Sequence, residues 1–291
     1  MSAPLPQRAR AWGATMLMAV RDVRRLTARR RAPLGSVWYA LQRRRRPSAS
    51  SPTAVFDLDG VALEARPRDW CAIEEVLLDG EYDFVASLFP DRPPARIVDL
   101  GANVGAFSAR CLSLWPHASV VAVEAAADTF EVLARNRRRS PTRDWTVVRG
   151  AVCSEDGTVA FEAAEQSTGS KVVSVDGATN VVSVPAMRLR TLLERHGDGP
   201  VDLLKMDIEG AEEAVLEDVP EVLDRIGTLI VEIHPQRCDA GRVVGLLRER
   251  YAHLAYVSGR RSSKPLLVAA RTPLHLPGYV DVPARPAGAR G

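Results

Sequence analysis

The chain has 291 residues, of which 46% are hydrophobic and 26% are charged. This composition can form a sizeable hydrophobic core and excludes a disordered chain. Twelve arginines and one acid give residues 1–46 a charge of +11, and because the whole chain carries +3, the other 245 residues carry −8. The globular part is therefore acidic, and no nucleic-acid partner is expected for it.

The N-terminal segment contains a run of ten apolar residues, 11–20, with arginines on both sides. This run is too short to span a bilayer, which takes about 20 residues, and no small-residue cleavage site follows it. Two interpretations stand: a solvated basic extension, or an amphipathic helix that contacts anionic lipid at the membrane surface. The expected organisation is an extension and linker over residues 1–52, a folded domain over 53–275 and a flexible tail over 276–291.

The four cysteines lie at least 40 positions apart in the sequence. This spacing fits neither a zinc motif nor the disulfide framework of a small secreted protein. A reducing compartment is therefore expected. The chain is predicted to be cytoplasmic, with peripheral membrane contact through its basic N-terminus as an alternative.

Residues 54–63 (AVFDLDGVAL) are similar to the first motif of haloacid-dehalogenase-type phosphatases, in which the first Asp is the nucleophile. The later lysine and the paired acidic motif of that family have no convincing counterpart in the chain. Apolar residues alternate around Asp59-Gly60, a dipeptide that favours a type I′ turn because both residues tolerate positive φ. A β-hairpin is therefore the preferred interpretation. A helix is predicted next, over residues 70–78, with Asp69 as its N-cap and Gly80 near its end.

From residue 95 onward, apolar strand patterns alternate with amphipathic helix patterns. Strands are predicted at residues 96–100, 119–124, 145–152, 158–162, 201–206, 228–233, 253–257 and 266–270. Helices are predicted at residues 107–114, 128–138, 211–216 and 243–251. Continuous apolar strands alternating with helices indicate a parallel sheet covered on both faces. Ligands of such sheets bind beyond the carboxyl ends of the strands.

A glycine turn at residues 101–105 fits neither the dinucleotide fingerprint nor the phosphate-binding P-loop. Asp99, two residues before the turn, would repel a pyrophosphate, which disfavours a dinucleotide-dependent oxidoreductase. S-adenosylmethionine (SAM) suits this carboxylate better, because it carries an ammonium and a sulfonium and no phosphate. Glu124 ends the next strand, where an acid can accept both ribose hydroxyls. The alternative is structural, with Asp99 capping the next helix and Glu124 as a solvated strand end.

Residues 98–108 (VDLGANVGAFS) resemble the cofactor motif of class I SAM-dependent methyltransferases. A resemblance to the FkbM family in particular is carried by residues 121–125 (VAVEA), Asn136, 150–152 (GAV), 201–212 (VDLLKMDIEGAE) and 230–234 (IVEIH). One departure is Ala125, because family members often have Pro after the acid that ends the second strand. The resemblance covers about residues 55–270.

This resemblance implies an α/β, Rossmann-like fold with a mostly parallel seven-stranded sheet, one antiparallel strand and helices on both faces. The basic helical extension and the β-hairpin would precede it. The residues expected to bind SAM are Asp99, Gly101, Ala102, Asn103, Gly105, Glu124 and Ala151. The implied reaction is methyl transfer to a hydroxyl oxygen of a sugar, a polyketide or another small metabolite, so the expected partner is a small-molecule or glycan acceptor.

Four polar side chains follow the fourth and fifth main strands: Asp207, Glu209, Glu232 and His234. If these strands are neighbours, all four approach the position of the transferred methyl group. His234 is the predicted general base, since an unperturbed histidine titrates near neutral pH. Asp207 could orient that base, receive the acceptor hydroxyl or contact the methionine end of SAM. Asp207, Glu232 and His234 could also form a magnesium site.

Structural interpretations stand beside these roles. His234 could simply end a strand with its ring hydrogen-bonded, Lys205 could pair with a neighbouring acid, and Glu209 could shape the turn. Glu212 and Glu213 are predicted to be solvated charges on a helix face. The polar loop at residues 165–170 is a candidate lid over the acceptor site. The rival of a different class is a non-catalytic Rossmann-like protein that binds a partner or nucleic acid through its basic tail.

Overall fold

The computed structural model describes residues 53–162, 171–172, 181–197, 199–218, 220–257, 264–276 and 280–281. The predicted amphipathic helix of the basic extension and the predicted lid at residues 165–170 lie outside the described residues. Among the helices that are described, none is long and apolar enough to cross a membrane.

A β-hairpin begins the described chain. Strands β1 (Ala54–Leu58) and β2 (Val61–Ala65) pair antiparallel and pack against the helices that follow. Asp59 and Gly60 form a two-residue turn with φ angles of 51° and 87°, positive at both positions as a type I′ turn requires. The Gly60 N–H donates to Oδ1 of Asp57 at 2.8 Å. The predicted hairpin is confirmed, and the first Asp of the phosphatase-like motif serves as a turn acceptor.

The next segment is a helix of changing pitch, where the sequence predicts one regular helix. Its parts are a 3₁₀ turn (Pro67–Asp69), helix α1 (Trp70–Ile73) and a π-helical turn (Glu74–Asp79). Gly80 ends the segment in the left-handed region, with φ of 66°. The carboxylate of Asp69 does not cap the helix, because it accepts hydrogen bonds from the backbone N–H and the guanidinium of Arg66.

The central sheet contains eight strands, of which seven are five to seven residues long. They are β3 (Arg96–Leu100), β4 (Ser119–Glu124), β5 (Trp145–Arg149), β10 (Val201–Met206), β11 (Ile226–Glu232), β12 (His253–Val257), β13 (Leu266–Ala270) and the two-residue β14 (Val280–Asp281). Their spatial order is β14–β12–β13–β11–β10–β3–β4–β5. Among the seven longer strands of the described chain, β13 alone runs in the direction opposite to the other six. The predicted Rossmann-like sheet is therefore confirmed, with β14 added at its edge.

Both faces of this sheet are buried, so successive residues of a strand belong to different hydrophobic clusters. Ile97 packs in the cluster that includes the hairpin, whereas Val98 packs in the cluster on the opposite face. Leu203 and Leu204 divide in the same way. The longer helices are α2 (Ala106–Leu114), α3 (Ala127–Arg139), α4 (Leu189–Arg195), α5 (Glu212–Asp218) and α6 (Ala240–Arg248). Covering on both faces explains why these strands are continuous apolar runs.

The predicted third strand, residues 145–152, divides at Gly150 between two sheets. Its second part, β6 (Ala151–Val152), joins a smaller sheet with β7 (Gly157–Glu162), β8 (Lys171–Val172) and β9 (Val181–Met187), in the order β6–β9–β7–β8. A Cβ at Gly150 would lie 2.7 Å from Cε of Met187 and 3.1 Å from the carbonyl oxygen of Pro185. The strand therefore changes sheets where a residue without a side chain lets β9 approach.

Candidate active site

A pocket opens at the carboxyl ends of β3, β4 and β10, where a ligand of a parallel sheet is expected. The pocket is open at its mouth, and the space inside it, open solvent included, is about 860 Å³. Its polar lining residues are Glu75, Asn103, Glu124, Lys205, Asp207 and Glu209. Of the predicted cofactor-binding residues, Gly101, Ala102, Asn103, Glu124 and Ala151 line the pocket, whereas Asp99 and Gly105 do not.

The glycine turn after β3 packs tightly against other parts of the chain. Gly101 has φ of +73°, and a Cβ there would lie 1.7 Å from the backbone carbonyl oxygen of Asp207. Gly105 has φ of +88°, and a Cβ there would lie 2.6 Å from the ring of Trp145. The sequence suggests that both glycines admit a ligand to the backbone. Their immediate neighbours are protein atoms, so close packing within the chain requires both glycines.

Glu124 is fixed at the pocket wall by two backbone groups. Its Oε2 accepts from the N–H of Asn103 at 2.9 Å, and its Oε1 accepts from the N–H of Ala126 at 2.8 Å. The side chain is 8% exposed, and burial raises its pKa to about 7 although both hydrogen bonds oppose the shift. The carboxylate is therefore a preorganised acceptor for ligand hydroxyl groups.

Asp99 lies behind the pocket wall and has no exposed surface. Its Oδ2 accepts from the Ser108 hydroxyl at 2.6 Å, and its Oδ1 lies 3.5 Å from Nζ of Lys205. Burial raises the pKa of Asp99, against the opposing effects of Lys205 and Ser108. Asp99 does not line the pocket itself, but its carboxylate contacts Lys205, which does.

Lys205 bridges two acids, as one structural interpretation of the sequence expects. Its ammonium lies 3.5 Å from Asp99 and 3.4 Å from Oδ2 of Asp207, and 5.8 Å from the ring centre of Phe107. Burial favours the neutral amine, but the charges of Asp207 and Asp99 outweigh it and raise the pKa of Lys205. A permanently charged lysine supplies one cation to the pocket wall.

The four predicted catalytic side chains do meet, because β10 and β11 are neighbours. Nε2 of His234 lies 3.2 Å from Oε2 of Glu209, 3.8 Å from Oδ1 of Asp207 and 3.9 Å from Oε1 of Glu232. A fifth residue, Glu212, places its Oε1 2.8 Å from Nδ1 of the same ring. We call these five residues the acidic cluster.

His234 is held between carboxylates in a way that changes its chemistry. Burial acts to lower its pKa, but Glu209 and Glu212 outweigh burial and raise the pKa to about 9. In this arrangement the ring carries a proton at neutral pH and has no lone pair with which to accept another. The local electrostatics therefore do not favour the predicted role of His234 as general base.

Glu209 is committed to ion pairs. Its carboxylate lies 2.6 Å from Arg237 and 3.3 Å from Lys264, besides its contact with His234. Burial would raise its pKa, but these three partners lower it to about 2. The backbone of Glu209 also has a positive φ of +55°, so this residue shapes the turn after β10. This is the structural role that the sequence indicates as the alternative to catalysis.

Sequence reasoning missed two acids of the site. Glu212 has no exposed surface and contacts His234, whereas the helical pattern suggests a solvated charge. Glu75 lines the pocket from the π-helical turn, and burial followed by the charge of Glu81 raises its pKa to about 7. Glu212 stands at the start of an amphipathic helix, a position that surface acids also occupy. The local sequence therefore does not distinguish Glu212 or Glu75 from an ordinary surface acid.

Comparison with known proteins agrees with this architecture. The family model of the methyltransferase FkbM domain matches residues 99–256. Hexuronic acid methyltransferase AglP of Haloferax volcanii is 30% identical over 162 residues, which are 54% of this chain and 64% of AglP. The chain therefore spans less than two thirds of AglP. Methyltransferase 1 of Beauveria bassiana is 27% identical over 220 residues, which are 66% of this chain and 86% of that protein.

Among solved structures, fibrillarin of Aeropyrum pernix in complex with S-adenosyl-L-methionine has a TM-score of 0.41 at 14% identity, over 65% of this chain and 74% of that one. The FkbM domain model, in contrast, covers more than half of the chain and includes the glycine turn, Glu124 and the acidic cluster. The chain therefore belongs to the FkbM methyltransferase family.

Proposed function

We propose that the protein transfers the methyl group of SAM to a hydroxyl oxygen of a small hydroxylated acceptor, a sugar or a polyketide being the first classes to test. The observation that carries this proposal is the position of Glu124, a buried carboxylate fixed by two backbone N–H groups on the pocket wall beside the glycine turn. Such a carboxylate can accept hydrogen bonds from the two ribose hydroxyls of SAM.

The charge of the pocket supports SAM over a phosphate-bearing cofactor. Among the described lining residues, the acids Glu75, Glu124 and Asp207 outnumber the one lysine, Lys205. A fourth lining acid, Glu209, is already paired with Arg237 and Lys264. This excess of carboxylates favours the sulfonium and the ammonium of SAM and opposes a pyrophosphate. Lys205 is the cation available for the carboxylate at the methionine end. Apolar residues beside Glu124, among them Ala151 and Phe161, offer a surface for the adenine ring.

Methyl transfer is an in-line substitution, in which the acceptor oxygen forms a bond to the methyl carbon as the carbon–sulfur bond breaks. The electron pair of that bond returns to sulfur, which leaves S-adenosylhomocysteine. The hydroxyl proton passes to a carboxylate of the acidic cluster. Asp207 lines the pocket and is the member that receives the acceptor hydroxyl, so its role is to position the nucleophile.

A divalent cation held by Asp207, Glu232 and His234 would further lower the pKa of a bound hydroxyl. The name of AglP, hexuronic acid methyltransferase, makes a sugar acid the first acceptor to test. We also propose a cytoplasmic location with membrane contact through residues 1–46. The charge of +11 on that segment and the four free thiols support this location.

Calorimetric titration with SAM tests cofactor binding. Glu124→Gln should weaken SAM affinity by about 100-fold, because charge-assisted hydrogen bonds worth about 2–3 kcal/mol are lost. The matched control is Glu131→Gln, an exposed acid on α3, which should bind SAM like the parent chain. Equal affinity in all three proteins would overturn the assignment of the pocket.

Transfer of a labelled methyl group from SAM to a panel of sugars, sugar acids and polyketides tests the reaction. The expected product is a methyl ether, identified by the carbon shift of its methoxy group. A labelled product methylated only at nitrogen or carbon would overturn O-methylation while leaving SAM dependence intact.

A further inference from the structure

We propose that Asp207, Glu232 and His234 form a binding site for a divalent transition-metal ion, with Glu212 as the positioning residue that orients the imidazole. The use of this ion to activate an acceptor hydroxyl rests on the proposed function, whereas its binding does not. The site lies at the ends of β10 and β11, beside the pocket.

The donor atoms are close enough for one ion to bridge them. One donor atom from each of the three residues lies within 4.8 Å of the other two. Nε2 of His234 is 3.8 Å from Oδ1 of Asp207 and 3.9 Å from Oε1 of Glu232. Two donor atoms that each lie about 2.1 Å from one ion are at most about 4.2 Å apart, so Nε2 is close enough to share an ion with either oxygen.

Glu212 holds the imidazole in the orientation that a metal ligand needs. Its Oε1 lies 2.8 Å from Nδ1 of His234 and also accepts from the N–H of Gly210 at 3.1 Å. Histidine ligands usually donate one ring N–H to a carboxylate of this kind, which directs the other nitrogen to the metal. Nε2 of His234 accordingly points to Asp207 and Glu232, and an ion that binds there displaces the proton that this nitrogen carries at neutral pH.

Two of the donor atoms lack a hydrogen-bond partner. His234 is 3% exposed, yet its Nε2 makes no aligned hydrogen bond, and neither does Oδ1 of Asp207. The carboxylate nearest to Nε2 is that of Glu209 at 3.2 Å, which Arg237 and Lys264 already occupy. Unpartnered polar atoms in a buried place are costly, and a bound cation would satisfy both at once.

Lys264 is the competitor for this ion. Its ammonium lies 3.0 Å from Oε1 of Glu232, and its side chain is 35% exposed, so it can move to solvent. Lys205, in contrast, contacts Oδ2 of Asp207 and leaves Oδ1 open. Removal of the Lys264 ammonium should therefore strengthen metal binding.

The donor set selects among metals. Magnesium prefers oxygen donors alone, whereas one imidazole nitrogen with two carboxylates suits Mn²⁺, Fe²⁺, Co²⁺ or Zn²⁺. The sequence allows a magnesium site at these residues, but the imidazole donor makes a transition-metal ion the better candidate.

The test is a Mn²⁺ titration of the full chain after removal of metals by a chelator, with free Mn²⁺ measured by electron paramagnetic resonance. The expected result is saturable binding of one ion per chain, with a nitrogen coupling from the imidazole in the pulsed spectrum. His234→Ala and Asp207→Asn should abolish saturable binding, and Glu212→Gln should weaken it by about 10- to 100-fold. Lys264→Met should tighten it.

Glu213→Gln is the matched control, because Glu213 lies on the same helix and contacts the backbone of Asp239 instead of the cluster. It should bind Mn²⁺ like the parent chain. Circular dichroism melting establishes that each variant is folded. Absence of saturable binding to the folded parent chain, or binding by Asp207→Asn and His234→Ala as tight as that of the parent chain, would overturn the site. SAM titration of the same samples separates this failure from a failure of the proposed function.

Discussion

Nδ1 of His234 lies 2.8 Å from Oε1 of Glu212, and neither side chain is more than 3% exposed. Glu212 is the first residue of α5, and His234 follows β11, so this contact joins α5 to the end of β11 within the acidic cluster. Burial opposes the ionised form of Glu212, but the contact with His234 outweighs it and lowers the pKa of Glu212.

The contact between Glu212 and His234 should stabilise the fold. Glu212→Ala removes one partner of a buried charged pair and leaves the other uncompensated, which should lower the free energy of unfolding by about 3 kcal/mol. Urea unfolding of the metal-free protein measures this. Glu131→Ala, at an exposed position of α3, should change the same quantity by less than about 0.5 kcal/mol, as expected for a surface substitution. Equal effects of the two substitutions would contradict a structural role for the pair.

Glu124 makes stability depend on pH. Its pKa in the folded chain is raised from 4.5 to about 7, which means that folding favours the protonated carboxyl group. The stabilisation that follows is fully present below pH 4.5 and is lost as the pH rises through 7. The difference in unfolding free energy, Glu124→Gln minus parent, should therefore increase between pH 4.5 and 8, by at most about 3 kcal/mol. Urea unfolding of both proteins at pH 5 and pH 8, in the absence of SAM, measures this difference. A difference independent of pH would show that Glu124 is ionised throughout this range.

Gly101 leaves no space for a side chain. Gly101→Ala would place Cβ 1.7 Å from the carbonyl oxygen of Asp207 and would also force an L residue to φ of +73°, so the variant should lose several kcal/mol of stability or fail to fold. Gly245→Ala on α6, where a Cβ meets nothing within 4 Å, should be stabilised by about 0.5–1 kcal/mol. Thermal melting of the two variants compares them directly. A melting temperature for Gly101→Ala within a degree of the parent value would be incompatible with this packing.

Glu75 should contribute to cofactor affinity. Its side chain lines the pocket, so Glu75→Gln removes a charge that attracts the cationic groups of SAM. The expected loss is about tenfold, or about 1.4 kcal/mol, measured by calorimetry at pH 8, where the carboxylate is ionised. Glu74→Gln is the control, because an amide oxygen can still accept from the indole N–H of Trp70. SAM affinity equal in both variants would remove Glu75 from the binding site.

Residues 1–46 should bring the protein to anionic membranes. Deletion of this segment removes a charge of +11 and should abolish co-flotation with vesicles that contain phosphatidylserine, while SAM affinity stays unchanged. Neutral phosphatidylcholine vesicles are the control and should bind neither form. Flotation unaffected by the deletion would leave the twelve arginines as a solvated extension.

The sequence predicts the seven longer strands of the central sheet well because each is a largely apolar run bounded by turn residues, and both sheet faces are buried. It predicts less well where tertiary contacts decide the local structure. The change of pitch after Ile73 and the division of a strand at Gly150 depend on packing against distant segments, and strand β9 contains Pro185, a residue that argues against a strand.

In the acidic cluster, the sequence identifies the residues but not their charge states. Asp207, Glu209, Glu232 and His234 could be found from their places after two neighbouring strands. The raised pKa of the histidine follows from the approach of Glu209 and of Glu212, and Glu212 lies 22 positions away in the chain. Spacing alone does not reveal such a contact, because it depends on the orientation of α5 against the sheet.

The contact between Gly101 and the backbone of Asp207 couples the two parts of the candidate site. The turn after β3 and the turn after β10 touch without a gap, so neither turn can shift toward the other. A substitution that enlarges either turn is therefore expected to displace residues on both sides of the contact, the predicted cofactor-binding residues on one side and the acidic cluster on the other.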